Sequence, residues 1–538
     1  MTYADLVFVN GRVMTMDSTS PMATAVAVRE SLITYVGTDA TTLIGPSTEV
    51  VDLRGRILLP GINDSHLHGC AYGLGKPPFS VDVALGSIAA VRAAVAEEVR
   101  RKQPGEWISG NGWNCDHFAE CAGDARRRPT ADDLDEVAPD NPVLLQDFSG
   151  HATWANSRAM EIAGVGGRGI LHDGDQALVQ RAAPPVTADV RRQVLREVVA
   201  EVNREGITSF TEPGLGPGGD SSFGGAMGTS VLSSYADLAR AGDLTARVSV
   251  LGLASSLSGA SAADTRTYLS SLPDLHGVAP RLVRLAGVKV FADGIPPSET
   301  AWMRQKYPSG GYGSLCTHGH TEELREEELT EILRLVHTAG LQAGVHVTGS
   351  RGIDAVVDSL ATVAREHPHP KARHYVIHGQ FASPSALATL ATLGYGINFQ
   401  PGIQHLTSDL VREMFGDEVA DTEWPARSAI DTGVMTACSS DAPVTAPNWR
   451  AGVRSLVSRV AQGSGRVSGA AERITMEEAL RTYTVNGAWQ DHADDWKGSV
   501  TVGKVADLCL SGASAAQDLT SAPVEMTVFN GKVVHSTV

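Results

Sequence analysis

The sequence has no uninterrupted apolar run of about 18 residues, so no membrane-spanning helix is expected. Its first residues, MTYADLVFVNGRVMTMD, lack a basic segment followed by an apolar stretch and a small-residue cleavage site. No signal peptide is expected, and the cytoplasm is the expected location. Cysteine is scarce: Cys70, Cys115, Cys121, Cys316, Cys438 and Cys509 are scattered through 538 residues, with no C-x-x-C pair. That spacing excludes a disulfide scaffold and predicts free thiols. Basic residues are outnumbered 44 to 61 by acidic ones, for a net charge of −17. This surplus argues against nucleic acid or anionic membrane as a partner. Aromatic residues are only 5%, which leaves the core to Val, Leu, Ile and Ala. What is present is ordinary for a globular chain, with 42% hydrophobic and 20% charged residues. The length accommodates a barrel with accessory parts.

The two ends share a texture. ADLVFVNGRVMTM alternates around Asn10-Gly11, and VEMTVFNGKVVHSTV around Asn530-Gly531. Asn-Gly between alternating runs predicts a hairpin at each end, because both turn residues tolerate positive φ. Neither end has enough strands for a core alone, so residues 1–57 and 497–538 are expected to form one composite β-sandwich. Between them, residues 58–496 repeat a strand-then-helix pattern. The strand-like runs are ILLPGINDSHLH, GITSFTEP, ARVSVLGLAS, LAGVKVFADG, LQAGVHVTG, HYVIHGQ, GINFQP and VMTACSSDAP. Segments such as EELREEELTEILRLVHTAG and SPSALATLATLG carry apolar faces of helical period and end at glycine. Buried strands alternating with helices predict an α/β fold, a (β/α)8 TIM barrel. Residues 70–205 are too long for a connection and are expected to be an inserted subdomain after the first strand. The glycine-rich GLGPGGDSSFGGAMG, residues 214–228, is expected to be a flexible loop.

Ionisable residues recur at the carboxyl ends of these runs. His66 and His68 stand two apart, on one side of an extended chain, where both can grip one ion. His346 ends LQAGVHV, His378 ends HYVIH, Asp441 follows VMTACSS and Lys289 lies in LAGVKVFADG. A buried lysine is costly unless neutralised or paired. Four histidines, a carboxylate and a lysine at barrel strand ends suit one or two Zn²⁺ or similar divalent ions, with Mn, Fe or Co as alternatives.

These motifs resemble the amidohydrolase superfamily, in which PGINDSHLH matches the first-strand H-x-H and the order H-x-H, Lys, His, His, Asp is also found. NGWN, PVLLQDFSGHATWANS, VKVFADG, IHGQ, NFQP, SSDAP, EEALRTYTVNGA and GSVTVGKVADL resemble the YtcJ-like branch, the amidohydrolase 3 group, which includes N-substituted formamide deformylases. The resemblance implies that His66 and His68 hold one metal and that His346 and His378 hold a second. It implies that Lys289, carboxylated by CO₂, bridges the two, or stays unmodified beside a single metal. It implies that Asp441 touches a metal and moves the proton of the attacking water, and that His151 reaches the scissile group or is merely a surface histidine. Trp113, Asp293, Glu299 and Gln400 are substrate-site candidates, with core packing as the alternative for Trp113 and loop capping for Asp293 and Gln400. Two departures stand out: Glu299 replaces a common arginine, and Ser350 replaces a common acid. Both shift the expected substrate polarity. His318, His320, His367 and His369 lie in polar sequence and are expected to be solvated.

The activity implied is metal-dependent hydrolysis of a C–N bond in an amide, formamide, carbamate or cyclic imide, on a small-molecule substrate. Deamination, ester cleavage, or a catalytically silent metal-binding regulatory role are the alternatives. A homodimer or homo-oligomer is expected.

Overall fold

A computed structural model describes residues 3–121, 127–147, 152–220, 223–256 and 259–538. The chain forms two compact units: residues 1–68, 199–218 and 235–538 in one, 69–198 and 219–234 in the other.

The first unit is built on eight parallel strands in chain order. They are β1 (Ile62–Asp64), β2 (Ile207–Leu215), β3 (Arg247–Leu253), β4 (Val283–Phe291), β5 (Gln342–Val347), β6 (Tyr375–His378), β7 (Gly396–Phe399) and β8 (Met435–Cys438). Seven adjacent pairs are laddered. The ends of β8 and β1 meet through backbone bonds beyond the strands: Asp441 N–H donates to His66 O (2.8 Å) and His68 N–H to Ala442 O (2.9 Å). The barrel expectation is therefore met, and its seam lies among the candidate ligands. β2, β3, β5, β6 and β7 are buried along their whole length, because helices cover the outside and side chains fill the inside. The helices begin and end where the sequence signals them. The Ser383 side chain caps Pro384–Leu393, and Gly394, at φ 67°, closes it.

This unit also holds a four-stranded sheet made of amino-terminal residues and a six-stranded sheet assembled from both ends. In the six-stranded sheet Ile57–Pro60 pairs antiparallel with Leu508–Ser511, joining the two ends of the chain. Phe8, Val26, Leu58, Leu508 and Val528 share its core with the four-stranded sheet. Two local expectations are corrected here. The run from Ile57 is not one barrel strand: it breaks at Gly61, where a side chain would strike the Thr208 hydroxyl. Its first half belongs to the terminal sheet and its second to the barrel. Asn530-Gly531 makes the expected hairpin, with positive φ at both residues. Asn10-Gly11 does not. The strands on either side of it lie in different sheets, so it carries the chain across the sandwich. Gly11 is needed there because a side chain would overlap Leu53.

The second unit holds a five-stranded sheet in the order Ile170–His172, Ala152–Ala155, Val143–Asp147, Ile108–Trp113, Val81–Asp82. In the first unit, Gly216 and Gly218 of the glycine-rich stretch are closely packed. A side chain at Gly216 would strike Leu253 O, and one at Gly218 would strike Ser255 O. Close backbone approach explains these two glycines. Among the described residues no helix is long and apolar enough to cross a membrane.

Candidate metal centre

The barrel gathers its ligand candidates at one end of the strands. His66 and His68 leave β1 on the same side, and Asp441 follows β8 across the seam. Asp441 Oδ1 lies 3.2 Å from His66 Nε2 and 3.6 Å from His68 Nε2. One ligand atom from each of the three falls within 4.8 Å of the others, the spacing a single ion requires. His66 and His378 are 5.7 Å apart between ring centres, so the second histidine pair adjoins the first. Asp441 and His378 both adopt positive φ, at 56° and 69°. Such strain in non-glycine residues concentrates at functional sites.

The second pair shows its chemistry through its hydrogen bonds. His346 Nε2 faces the backbone carbonyl of Gly294 at 3.2 Å, an acceptor only, so Nε2 carries the proton and Nδ1 is bare. His378 Nδ1 lies 2.6 Å from Gln400 Oε1. The Gln400 amide is oriented by a chain that also ends on a backbone carbonyl. Asn398 Nδ2 donates to Ser65 O (3.2 Å), which turns Asn398 Oδ1 toward Gln400 Nε2 (2.7 Å). Gln400 Oε1 must then accept from His378 Nδ1, leaving His378 Nε2 bare. With the tautomers that Gly294 O and Gln400 favour, these two nitrogens stand 3.0 Å apart and neither donates to the other. Two lone pairs at that distance repel unless a cation lies beside both. Two imidazoles on a tetrahedral ion at about 2.0–2.1 Å place their nitrogens about 3.3 Å apart.

Burial keeps all four rings neutral. It holds His66 and His378 well below the usual imidazole range and pushes His68 and His346 down to about 3, with neighbouring cationic groups adding to the effect. Neutral rings are the metal-binding form. Among the described residues, His66 Nδ1 and His68 Nδ1 are buried without a hydrogen bond. Lys289, on β4, is buried, its Nζ 4.7 Å from the centre of the Phe291 ring. Burial lowers its ammonium to about 7, opposed by the Asp441 carboxylate. The donor set therefore fits divalent metal.

The substrate-site candidates separate. Gln400 is fully buried and supports His378. Asp293 accepts three backbone N–H bonds, from Trp302, Thr348 and Gly349, each 2.9 Å. It welds the loop after β4 to the end of β5, and three N–H donors oppose the burial that lifts its carboxyl to about 7. Trp113 lies in the core of the second unit with Phe118 and Trp154, its indole N–H on Leu145 O. Trp113 thus lies in a core and Asp293 ties loops, while Gln400 supports His378, a role not among those named from sequence. Glu299 closes a short turn after Pro296–Ser298 at φ 55° and is half-buried. Ser350 Oγ accepts from Arg304 N–H, a tie within the framework. His151 lies outside the described residues. Of the histidines expected to be solvated, His367 accepts on its carbonyl from buried His337.

Four contributors are absent from the sequence-based candidates. Asp64 Oδ1 accepts from Ser440 N–H at 3.0 Å, pinning the Asp441 loop to β1. Asn398 and Ser439 orient Gln400. Glu212, on β2, is fully buried beside His68. Asp64 and Glu212 met the same signal used for the others, an acid at or near the carboxyl end of an apolar run.

Comparison with known proteins places this geometry in context. The model of the family described as "Amidohydrolase family" matches residues 49–535. The chain is 27% identical to Protein LONG AFTER FAR-RED 3 of Arabidopsis thaliana, over 99% of this chain and 92% of that one. It is 26% identical to an N-substituted formamide deformylase of Arthrobacter pascens, over 94% and 92%. An uncharacterized metal-dependent hydrolase from Pyrococcus furiosus superposes with a TM-score of 0.72 at 20% identity, covering 94% of this chain and 98% of that one.

Proposed function

The chain belongs to the amidohydrolase family, and from that premise we propose that the barrel centre is a metal-dependent hydrolytic site for a C–N bond of a small molecule. The observation that carries the reading is the pair of bare imidazole nitrogens, His346 Nδ1 and His378 Nε2, 3.0 Å apart. Their tautomers are fixed by Gly294 O and Gln400, as metal-binding histidines are fixed by their outer partners.

His66, His68 and Asp441 would hold one ion, and His346 and His378 another. Zinc suits the imidazole and carboxylate donors. Such ions supply a Lewis acid for the carbonyl oxygen and a nucleophilic water near neutral pH. The protein supplies the rest. Asp441, held by its own N–H on His66 O, accepts the proton of the attacking water on its carboxylate and returns it to the departing nitrogen. Buried Lys289, its amine eased toward the neutral form, would on reaction with CO₂ lose a proton and become an anionic carbamate that could serve as a further oxygen ligand. The products are an acid and an amine. The deformylase relative supports an N-substituted formamide as one substrate to try, while Glu299 and Ser350 argue for testing others.

A panel of N-formyl, N-acyl, carbamate and cyclic imide compounds tests this through amine or ring-opening release. At least one should be turned over, with activity lost to chelation and restored by zinc. Turnover that survives complete metal removal would sink the proposal.

A further inference from the structure

His68 and His66 differ from His346 and His378 in one respect: among the described residues no hydrogen bond fixes the nitrogen opposite their converging Nε2 atoms. Once the Nε2 lone pair of a neutral imidazole is given to a cation, the single proton must sit on Nδ1. A buried Nδ1–H then needs an acceptor. For His68 the geometry offers one. Leu67 N–H donates to Thr211 O at 2.9 Å, which lays the ligand segment along β2 and brings the next residue, Glu212, beside the ring. Glu212 Oε1 stands 3.8 Å from His68 Nδ1, within ion-pair range and beyond hydrogen-bond length. Its other oxygen, Oε2, accepts from Tyr235 OH at 2.8 Å. Glu212 and Tyr235 are both fully buried.

We infer that Glu212 is the positioning residue of His68, and that Tyr235 holds Glu212 for that task. The carboxylate sets the proton on Nδ1 and leaves Nε2 to the ion shared with His66 and Asp441. Glu212 thus acts through His68 and touches neither metal nor substrate. The inference rests on the metal-site reading above.

The test is zinc affinity by chelator competition on the full chain, with cobalt(II) substituted in parallel for its visible absorption. Glu212→Gln keeps the shape and removes the charge. It should bind the same number of ions as the wild type, about 10- to 100-fold more weakly, with a displaced cobalt band. Tyr235→Phe should weaken affinity in the same direction by less. Wild-type affinity in Glu212→Gln would overturn the inference, and so would loss of a whole equivalent of metal, which would make Glu212 a ligand. Should Glu212→Gln fail to fold, Tyr235→Phe decides: affinity equal to wild type overturns the pairing. A wild-type protein that binds no metal defeats the metal-site reading itself, whereas a loaded wild type with an unaltered Glu212→Gln defeats this inference alone.

Discussion

Replacing Gln400 with methionine, similar in size but without an acceptor, isolates the role assigned to the amide. The structure gives the consequence stepwise. Gln400 Oε1 accepts from His378 Nδ1 at 2.6 Å in a fully buried setting. Without it the Nδ1–H is left unpaired, a loss of about 1–3 kcal/mol. The apo protein has an escape. The proton can move to Nε2 and donate to His346 Nδ1, 3.0 Å away. That bond relieves the apo state and occupies the lone pairs meant for metal. The loss should therefore appear in metal affinity, with little change in apo stability. At about 1.4 kcal/mol per decade, 1–3 kcal/mol corresponds to about 5- to 150-fold, in keeping with the 10- to 100-fold typical of such outer partners. Chelator competition reads the affinity, and ¹⁵N NMR of the apo protein reads the tautomer. Gln400→Met should show protonated His378 Nε2 and weaker zinc binding. Unchanged affinity, or a wild-type apo protein already protonated at Nε2, would refute the reasoning.

Further outcomes follow from the same geometry. Asp441→Asn should keep most of the metal and lower kcat by about 10²- to 10⁴-fold, read by elemental analysis beside steady-state kinetics; equal turnover would remove Asp441 from proton transfer. Arg247, on β3, makes a buried two-point ion pair with Asp507, 2.7 and 3.1 Å, tying the barrel to the carboxyl-terminal strands. Arg247→Met leaves Asp507 without that partner and should destabilise by about 3–5 kcal/mol in urea unfolding. His374 is buried, accepts Ala343 N–H on Nδ1 and is pushed down to about 3 by burial, reinforced by His337. Its folded pKa lies below its unfolded value near 6.5, so the unfolded chain binds the proton first. Apo stability should thus be intact above pH 6.5 and fall toward pH 3, by up to about 1.4 kcal/mol per unit from this group. A flat profile across that window would contradict the buried neutral ring.

The barrel was legible because its strands are short apolar runs separated by helices with clear caps, and because the ionisable residues sit at their ends. Hydrogen-bond partners beyond those residues were not legible. Gln400 looked like a substrate contact because NFQP carries no sign that Asn398 and Ser65 would turn its amide toward His378. Asp293 is a substrate-site or loop-capping candidate by sequence, and backbone donors from Trp302 after β4 and from Thr348 and Gly349 after β5 occupy its carboxylate. Trp113 could not be assigned from one residue's chemistry, since its neighbours Phe118 and Trp154 arrive by folding. Asn10-Gly11 makes no hairpin because the turn signal is local, whereas the strand after it, Arg12–Met14, pairs with Met22–Ala23 and Ile57–Pro60 in the other sheet. The cysteines also hold a surprise of proximity: Cys115 and Cys121 lie 2.8 Å apart between sulfurs, although no spacing motif announced them. Glu212 and Asp64 were readable by the rule already in use.

The central claim is that this barrel is a metal site, and elemental analysis of the wild type beside His346→Ala tests it most directly. After growth with added zinc or manganese, the wild type should carry at least about one divalent ion per chain, and His346→Ala should carry less. A wild-type protein with well under one ion per chain, or metal content indifferent to His346, would contradict the account.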